Sequence, residues 1–190
     1  MLLRSSVRCL SLGLVLSMAG VALADSWDQP AVRAVGSADG LALVRVAPGS
    51  SSGDRRPNVE LYRRDAKSAQ YALKDRFQLR NRIAPVDVLL TGKGELVALD
   101  EWAQMGHGTV LVVYAADGKP RLQFRLDELL GAEVAAKAPA SVSSTWWRCR
   151  TPMLSHDDSQ LLVETYDGGQ LRVDLSTGRV AYEPGTGRCA

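Results

Sequence analysis

The chain has 190 residues, and its 23 Lys and Arg side chains nearly balance 21 Asp and Glu, so the formal net charge is +2. This balance predicts no extended basic face, which makes nucleic acids and anionic membrane surfaces poor candidates for partners. Hydrophobic residues make up 46% of the sequence, which is enough for a substantial core in a chain of this length.

The first 24 residues are typical of a secretory signal peptide. Arg4 and Arg8 form a short basic region, and the run from Cys9 to Leu23 is almost uncharged. Ala22-Leu23-Ala24 then fits the small-x-small pattern that precedes cleavage, so we expect Asp25 to be the mature N-terminus. The apolar run is too short to predict a membrane span, and no later stretch is long and apolar enough. The sequence therefore predicts a periplasmic or extracellular protein.

Residues 25–190 are predicted to form a single β-rich domain, because short apolar segments alternate with Gly and Asp turns. Three pairs of candidate strands flank sequences that are typical of hairpin turns. These turns are Thr91-Gly-Lys-Gly94, Ala116-Asp-Gly-Lys119 and Asp167-Gly-Gly169. The candidate strands cover residues 41–46, 59–64, 71–79, 86–90, 95–102, 109–114, 121–126, 159–166, 170–175 and 179–182.

The hydrophobic pattern also indicates which strands are covered by neighbours. Leu122, Phe124 and Leu126 would share one face of a strand, with polar residues opposite. Residues 110–113 are apolar at every position, which predicts a central strand covered on both faces.

One short helix is expected near residues 127–137. Asp127 is the candidate N-cap, and an Ala-rich stretch follows it. Gly131 weakens the helix, and Pro139 prevents it from continuing.

We expect an all-β fold in which antiparallel hairpins form a propeller-like or sandwich-like stack of small sheets. A strand, a turn, a second strand and a longer connection recur along the chain, as in the blades of a propeller. The spacing is irregular, and the chain has room for at most three or four blades of about 40–45 residues each. A closed propeller, an open stack and a sandwich are therefore all compatible with the sequence.

Cys149 and Cys189 are the two cysteines outside the signal segment. Two thiols in an exported protein most simply form one disulfide, which here would close a loop of about 40 residues. The alternative is a reactive thiol, but neither cysteine lies in a C-x-x-C motif.

Five short pieces of sequence carry a family resemblance. They are Leu99-Asp-Glu-Trp102, Gly106-His-Gly108, Val113-Tyr-Ala-Ala-Asp-Gly-Lys119, Leu126-Asp-Glu-Leu-Leu130 and Ser141-Val-Ser-Ser-Thr-Trp-Trp147. The last piece is the most specific. Through these pieces, residues 95–182 resemble an uncharacterised family of secreted bacterial proteins. The resemblance implies a β-rich, propeller-like fold and no particular activity or substrate.

The pair Trp146-Trp147 and the arginines that follow it form the first candidate binding surface. In a strand, Trp147 would share a face with Cys149, and Trp146 would share the other with Arg148 and Arg150. One interpretation is structural, with Trp147 in the core and Trp146 packed under the arginines by cation–π contact. The other is a binding surface, because Trp and Arg are enriched at interaction hot spots.

Trp102 and His107 mark a second candidate site. An aromatic side chain beside carboxylates suits a sugar ring, which it can stack on and hydrogen-bond. The carboxylates of Asp100 and Glu101 would point to opposite faces of a strand, which argues against a catalytic pair. We expect these two acids to be exposed charges and residues 106–108 to form a turn.

The sequence contains two histidines, His107 and His156, and neither lies in a metal-binding motif. We therefore expect no metal, no other cofactor and no catalytic residues. The preferred hypothesis is a non-enzymatic exported β domain that contacts a protein or another envelope component. The alternative is a carbohydrate-binding module or a weakly coded hydrolase with its site near Trp102 and His107. A third hypothesis is a domain that supports an envelope assembly without a discrete site.

Overall fold

The protein folds into three four-stranded antiparallel sheets that follow one another along the chain. The computed structural model describes residues 27–50, 52–187 and 189, so the predicted signal segment and Asp25 lie outside the described residues. Each sheet is a meander of four consecutive strands. The predicted all-β class, a propeller-like or sandwich-like stack of small antiparallel sheets, is confirmed. Within the described part of the chain, no helix is long and apolar enough to cross a membrane.

The strands agree with the sequence prediction except at two short elements. Sheet 1 contains β1 (Arg33–Gly36), β2 (Ala42–Ala47), β3 (Asn58–Arg64) and β4 (Tyr71–Gln78). Sheet 2 contains β5 (Pro85–Leu90), β6 (Leu96–Glu101), β7 (Thr109–Tyr114) and β8 (Pro120–Arg125). Two helices, α1 (Leu126–Leu130) and α2 (Ala132–Ala135), precede sheet 3, which contains β9 (Met153–Leu154), β10 (Gln160–Glu164), β11 (Gln170–Asp174) and β12 (Val180–Glu183). The sequence did not predict β1 and β9, which are too short to give a clear periodic pattern.

Sheet 2 lies between the other two sheets and gives one face to each. Along β6, Leu96 and Ala98 belong to the core shared with sheet 1, whereas Val97 and Leu99 belong to the core shared with sheet 3. All four side chains are buried. A similar division along β7 confirms that residues 110–113 are covered on both faces.

The innermost strands of the three sheets come together. Val35 of β1, Leu89 of β5 and Met153 of β9 line one cavity of about 320 Å³. Among the described residues, the two buried cores join sheet 1 to sheet 2 and sheet 2 to sheet 3. The described sheets thus form a propeller-like stack of three.

The predicted hairpin turns are confirmed, and glycine is required in each. Gly94, Gly118 and Gly168 have φ values of 84°, 80° and 74°, a region that residues with a Cβ rarely adopt. In the third turn, the Asp167 carboxylate accepts hydrogen bonds from the Thr165 hydroxyl at 2.7 Å and the Gly169 N–H at 3.1 Å. Local side-chain bonding of this kind explains why these turns could be predicted from short motifs.

The predicted helix is present but divided, and its predicted cap is wrong. Gly131, with φ +79°, separates α1 from α2. The N-cap is Arg125, whose backbone N–H donates to the Glu128 carboxylate at 2.7 Å. Asp127 lies inside α1, where its carboxylate pairs with the Arg125 guanidinium at 3.1 Å. The helix therefore begins earlier than predicted, at Leu126, and the Glu128 carboxylate satisfies the backbone N–H of its N-cap residue.

The predicted disulfide between Cys149 and Cys189 is confirmed, with Cα atoms 5.2 Å apart. The Cys149 N–H donates to the carbonyl of Glu164, at the end of β10, at 2.9 Å. The bond therefore attaches residue 189 to sheet 3 and closes a loop with a sequence separation of 40.

Replacing both cysteines with alanine is expected to lower the free energy of unfolding by about 2–4 kcal/mol, because the unfolded chain loses its cross-link. Urea denaturation of C149A/C189A and of the parent protein, each with and without a reducing agent, measures the effect. The reduced parent should unfold near the midpoint of the variant. A variant as stable as the oxidised parent would contradict this prediction.

Candidate functional site

Trp27, Trp102 and Trp146 lie together and are called here the tryptophan cluster. The ring of Trp27 lies edge-on to that of Trp102, with centroids 5.3 Å apart. It lies nearly parallel to the ring of Trp146, at a centroid distance of 6.1 Å and an interplanar angle of 8°. Trp146 is 40% exposed, so the cluster presents an accessible aromatic face.

Hydrogen bonds from separate parts of the chain hold the cluster in place. Trp102 directly follows β6, and its backbone N–H donates to the Ala84 carbonyl at 2.9 Å. Its indole Nε1 donates to the Asp28 carbonyl at 2.6 Å, and the Arg33 guanidinium lies 5.3 Å from its ring centroid. The Trp146 N–H donates to a carbonyl at position 139 at 2.7 Å. Contacts within the chain thus hold these residues in place.

The tryptophan cluster borders a cleft of about 410 Å³, called here the tryptophan cleft. Its lining combines two tryptophan rings with both polar and apolar residues. The lining includes Trp27, Asp28, Gln29, Ser50, Arg55, Ile83, Trp102 and Gln104. A concave surface with an aromatic wall and a few polar groups is typical of a small-ligand site.

Arg148 does not share a face with Trp146, so the expected grouping of these side chains does not occur. Residues 145–150 form isolated bridges at Thr145 and Arg148 rather than a continuous strand. The Arg148 side chain is 6% exposed, and its guanidinium lies 5.9 Å from the ring centroid of Trp147. The arginine turns inward because a buried carboxylate, that of Asp100, lies 3.0 Å from its Nε.

The expectation that Asp100 is an exposed charge is wrong. This residue is completely buried and has a φ of +55°, which interrupts the strand alternation on which the expectation rested. Its carboxylate accepts hydrogen bonds from Trp147 Nε1 at 2.9 Å, Arg148 Nε at 3.0 Å and the Gly106 N–H at 2.9 Å. Asp100, Trp147 and Arg148 therefore form a buried polar cluster beneath residues 145–150.

A second carboxylate completes the environment of Arg148. Asp87 Oδ2 lies 2.6 Å from Arg148 Nη2. Burial raises the pKa of Asp100 above its usual value, although the Arg148 guanidinium and the indole and amide donors act in the opposite direction. Because all three partners of Asp100 are donors, the ionised carboxylate is the form that this arrangement serves.

The remaining predicted site residues lie apart from one another. Arg150 is exposed and pairs with Glu164 at 3.2 Å. His107 lies in the predicted exposed turn at residues 106–108, and it lines a different cavity from Trp102. The structure thus brings Trp102 together with Trp146 but does not place His107 in the tryptophan cleft.

The described residues contain no cluster of side chains that could hold a metal ion. In residues 27–50, 52–187 and 189, no three His, Cys, Asp or Glu side chains lie close enough to hold a metal ion.

Two residues of these sites were missed by sequence reasoning. Trp27 lies near the predicted cleavage position, in a segment with no strand pattern. Asp87 lies within a predicted strand and has no motif around it. Its only available signal was a charged residue between apolar neighbours in an inner strand, which is unusual unless the charge is paired.

Comparison with known proteins gives matches among solved structures. No protein-family model matches it, and no curated protein matches it. Among solved structures, the periplasmic gluconolactonase PpgL of Pseudomonas aeruginosa is similar, with 17% sequence identity and a TM-score of 0.47. The match covers 80% of this chain and 44% of that one, so the chain spans less than half the length of that protein. The resemblance to a secreted bacterial family stays a prediction.

Proposed function

We propose that the chain is an exported, non-enzymatic binding module that holds a protein or another envelope component at the tryptophan cluster. The observation that carries this proposal is the accessible face of Trp146 beside the hydrogen-bonded indole of Trp102. Tryptophan is enriched among residues that dominate binding energy, because its ring offers a large contact area with few rotatable bonds.

The surroundings of Trp146 support this role. Val142, in the preceding loop, is 78% exposed, so the segment presents two large apolar side chains to solvent. The buried cluster around Asp100 anchors the next residue, Trp147, and thereby holds Trp146 at the surface. Exposed apolar groups on a rigid support are typical of interaction sites.

Export is supported by two independent features. The first 24 residues predict a signal peptide, and the bond between Cys149 and Cys189 suits an oxidising compartment.

The experiment that tests this function is crosslinking of the exported protein in cells, followed by purification and mass spectrometry. A defined partner should be enriched, and Trp146→Ala should reduce its recovery by about tenfold, a loss typical of a hot-spot residue. Met153→Ala is the matched control, because Met153 is 63% exposed and is not part of the tryptophan cluster. Equal recovery with Trp146→Ala, or the absence of any enriched partner, would contradict the proposal.

A second candidate function is carbohydrate binding, which the shape of the tryptophan cleft favours. An indole face can stack on a sugar ring, and Asp28, Gln29 and Arg55 offer hydrogen-bonding groups to its hydroxyls. An oligosaccharide that binds in the cleft should change the tryptophan fluorescence of the protein, and Trp102→Ala should abolish that change. No fluorescence response across a broad glycan panel would count against this function.

A further inference from the structure

A second cavity adjoins the tryptophan cleft and is called here the basic cavity. It has a volume of about 340 Å³. Gln104 lines both spaces, and the consecutive residues Arg82 and Ile83 line one space each. A ligand longer than one sugar or amino-acid unit could therefore contact both.

The basic cavity carries an excess of positive charge. Arg80, Arg82 and His107 line it together with one acid, Glu101. Both arginines are exposed, and no ion pair among the described residues uses either guanidinium. Glu101 Oε1 already accepts the backbone N–H of Arg82 at 2.6 Å. The two guanidinium groups are thus available to an anionic ligand.

The backbone that carries these arginines is held by a buried tyrosine. The Tyr114 hydroxyl donates to Asn81 Oδ1 at 2.7 Å and accepts the Arg80 N–H at 3.0 Å. Both Tyr114 and Asn81 are buried. A tyrosine hydroxyl is protonated at neutral pH, and burial raises the pKa of Tyr114 further, to about 12, so this hydroxyl keeps donating. Because this backbone is already fixed, less conformational entropy would be lost when a ligand binds.

The uncharged groups of the basic cavity suit a sugar better than an apolar side chain. Gln104, Gln123 and Thr109 line it, and their amides and hydroxyl can both donate to and accept from sugar hydroxyls. Two guanidinium groups match the planar geometry of a carboxylate, to which arginine can donate two parallel hydrogen bonds.

We infer that the tryptophan cleft and the basic cavity together bind a saccharide chain that carries carboxylate groups. One sugar ring contacts Trp102, and the carboxylate of a neighbouring unit pairs with Arg80 and Arg82. This inference rests on the proposed function, because it takes the tryptophan cluster as the place where the partner binds.

The test is a calorimetric titration of the purified protein with a short oligogalacturonate and with its methyl ester, which has the same backbone without the charges. The acid should bind about tenfold more tightly than the ester, as expected for a charge-assisted contact. R80Q/R82Q should remove this preference. R64Q/R179Q is the charge-matched control, since both of these arginines are exposed and belong to no ion pair among the described residues; it should keep the preference.

The outcomes separate this inference from the proposed function. Equal affinity for acid and ester, or no binding of either, would overturn the inference that an acidic saccharide binds here. The proposed function would still stand in that case if Trp146→Ala loses the cellular partner. If R64Q/R179Q loses as much affinity for the acid as R80Q/R82Q does, the attraction depends only on overall charge. That result would also overturn the inference. Equally tight binding of a glutamate oligopeptide would exclude a saccharide-selective site. If Trp146→Ala keeps the cellular partner, the proposed function itself fails.

Discussion

Asp100→Ala is expected to lower the free energy of unfolding by about 3–5 kcal/mol, the range for breaking a buried ion pair by removing one partner. The variant loses three hydrogen bonds at once, and it leaves the guanidinium of Arg148, which is 6% exposed, with Asp87 as its remaining carboxylate partner. Alanine also tolerates the φ of +55° at this position less well than aspartate or asparagine does. Urea denaturation followed by circular dichroism measures the loss.

Two further variants keep this prediction testable if the alanine variant does not fold. Asp100→Asn retains an acceptor and a residue suited to positive φ, so we expect a smaller loss than with alanine. Asp127→Ala removes a carboxylate whose ion pair with Arg125 is on the surface, so its effect should stay below about 1 kcal/mol. Equal stability of the Asp100→Asn and parent proteins would show that the charge of Asp100 contributes nothing to folding.

Trp147→Ala is the second large effect that we expect, at about 3–5 kcal/mol of unfolding free energy. Its side chain is completely buried in the core between sheets 2 and 3, and its indole N–H donates to Asp100. Removing it therefore creates a cavity and takes a donor from a buried carboxylate. Thermal and urea denaturation of the purified variant measure the change.

The neighbouring residue supplies the matched control. Trp146→Ala should cost less than about 1 kcal/mol, because Trp146 is 40% exposed and its removal opens no enclosed cavity. Trp147→Phe keeps much of the buried volume but lacks the N–H donor, so the difference between the Phe and Ala variants separates packing from hydrogen bonding. If Trp146→Ala were as destabilising as Trp147→Ala, the exposed tryptophan would be a structural residue and the binding hypothesis would lose its main support.

These two predictions describe how the core supports the candidate site. Trp146 and Trp147 are adjacent in the chain, yet one faces solvent and the other lies in the core. The hydrogen bond from Trp147 to Asp100 and the packing of Arg148 over the same indole hold the backbone at this point. Because residues 145–150 form isolated bridges rather than a continuous strand, these side-chain contacts add to the few backbone hydrogen bonds that hold the candidate surface.

Local patterns in the sequence alone determined most of the fold. Short apolar segments between turn sequences predicted ten of the twelve strands, and glycine-containing turn motifs predicted the hairpin turns. The apolar run at residues 110–113 predicted a strand between two layers, and the cysteine count predicted the bond from Cys149 to Cys189. Each of these signals depends on neighbours in the chain or on a simple count, which explains why sequence reasoning could find them.

Only the tertiary structure decided the composition of the candidate site. The bond between Asp100 and Trp147 spans 47 positions, and that between the Asp28 carbonyl and Trp102 spans 74. Periodicity cannot predict such contacts, because it reports which face a side chain occupies and not which distant segment covers it. Asp100 shows the difference most clearly: its positive φ turns the carboxylate out of the strand pattern and into the core, where a distant arginine and a distant indole satisfy it.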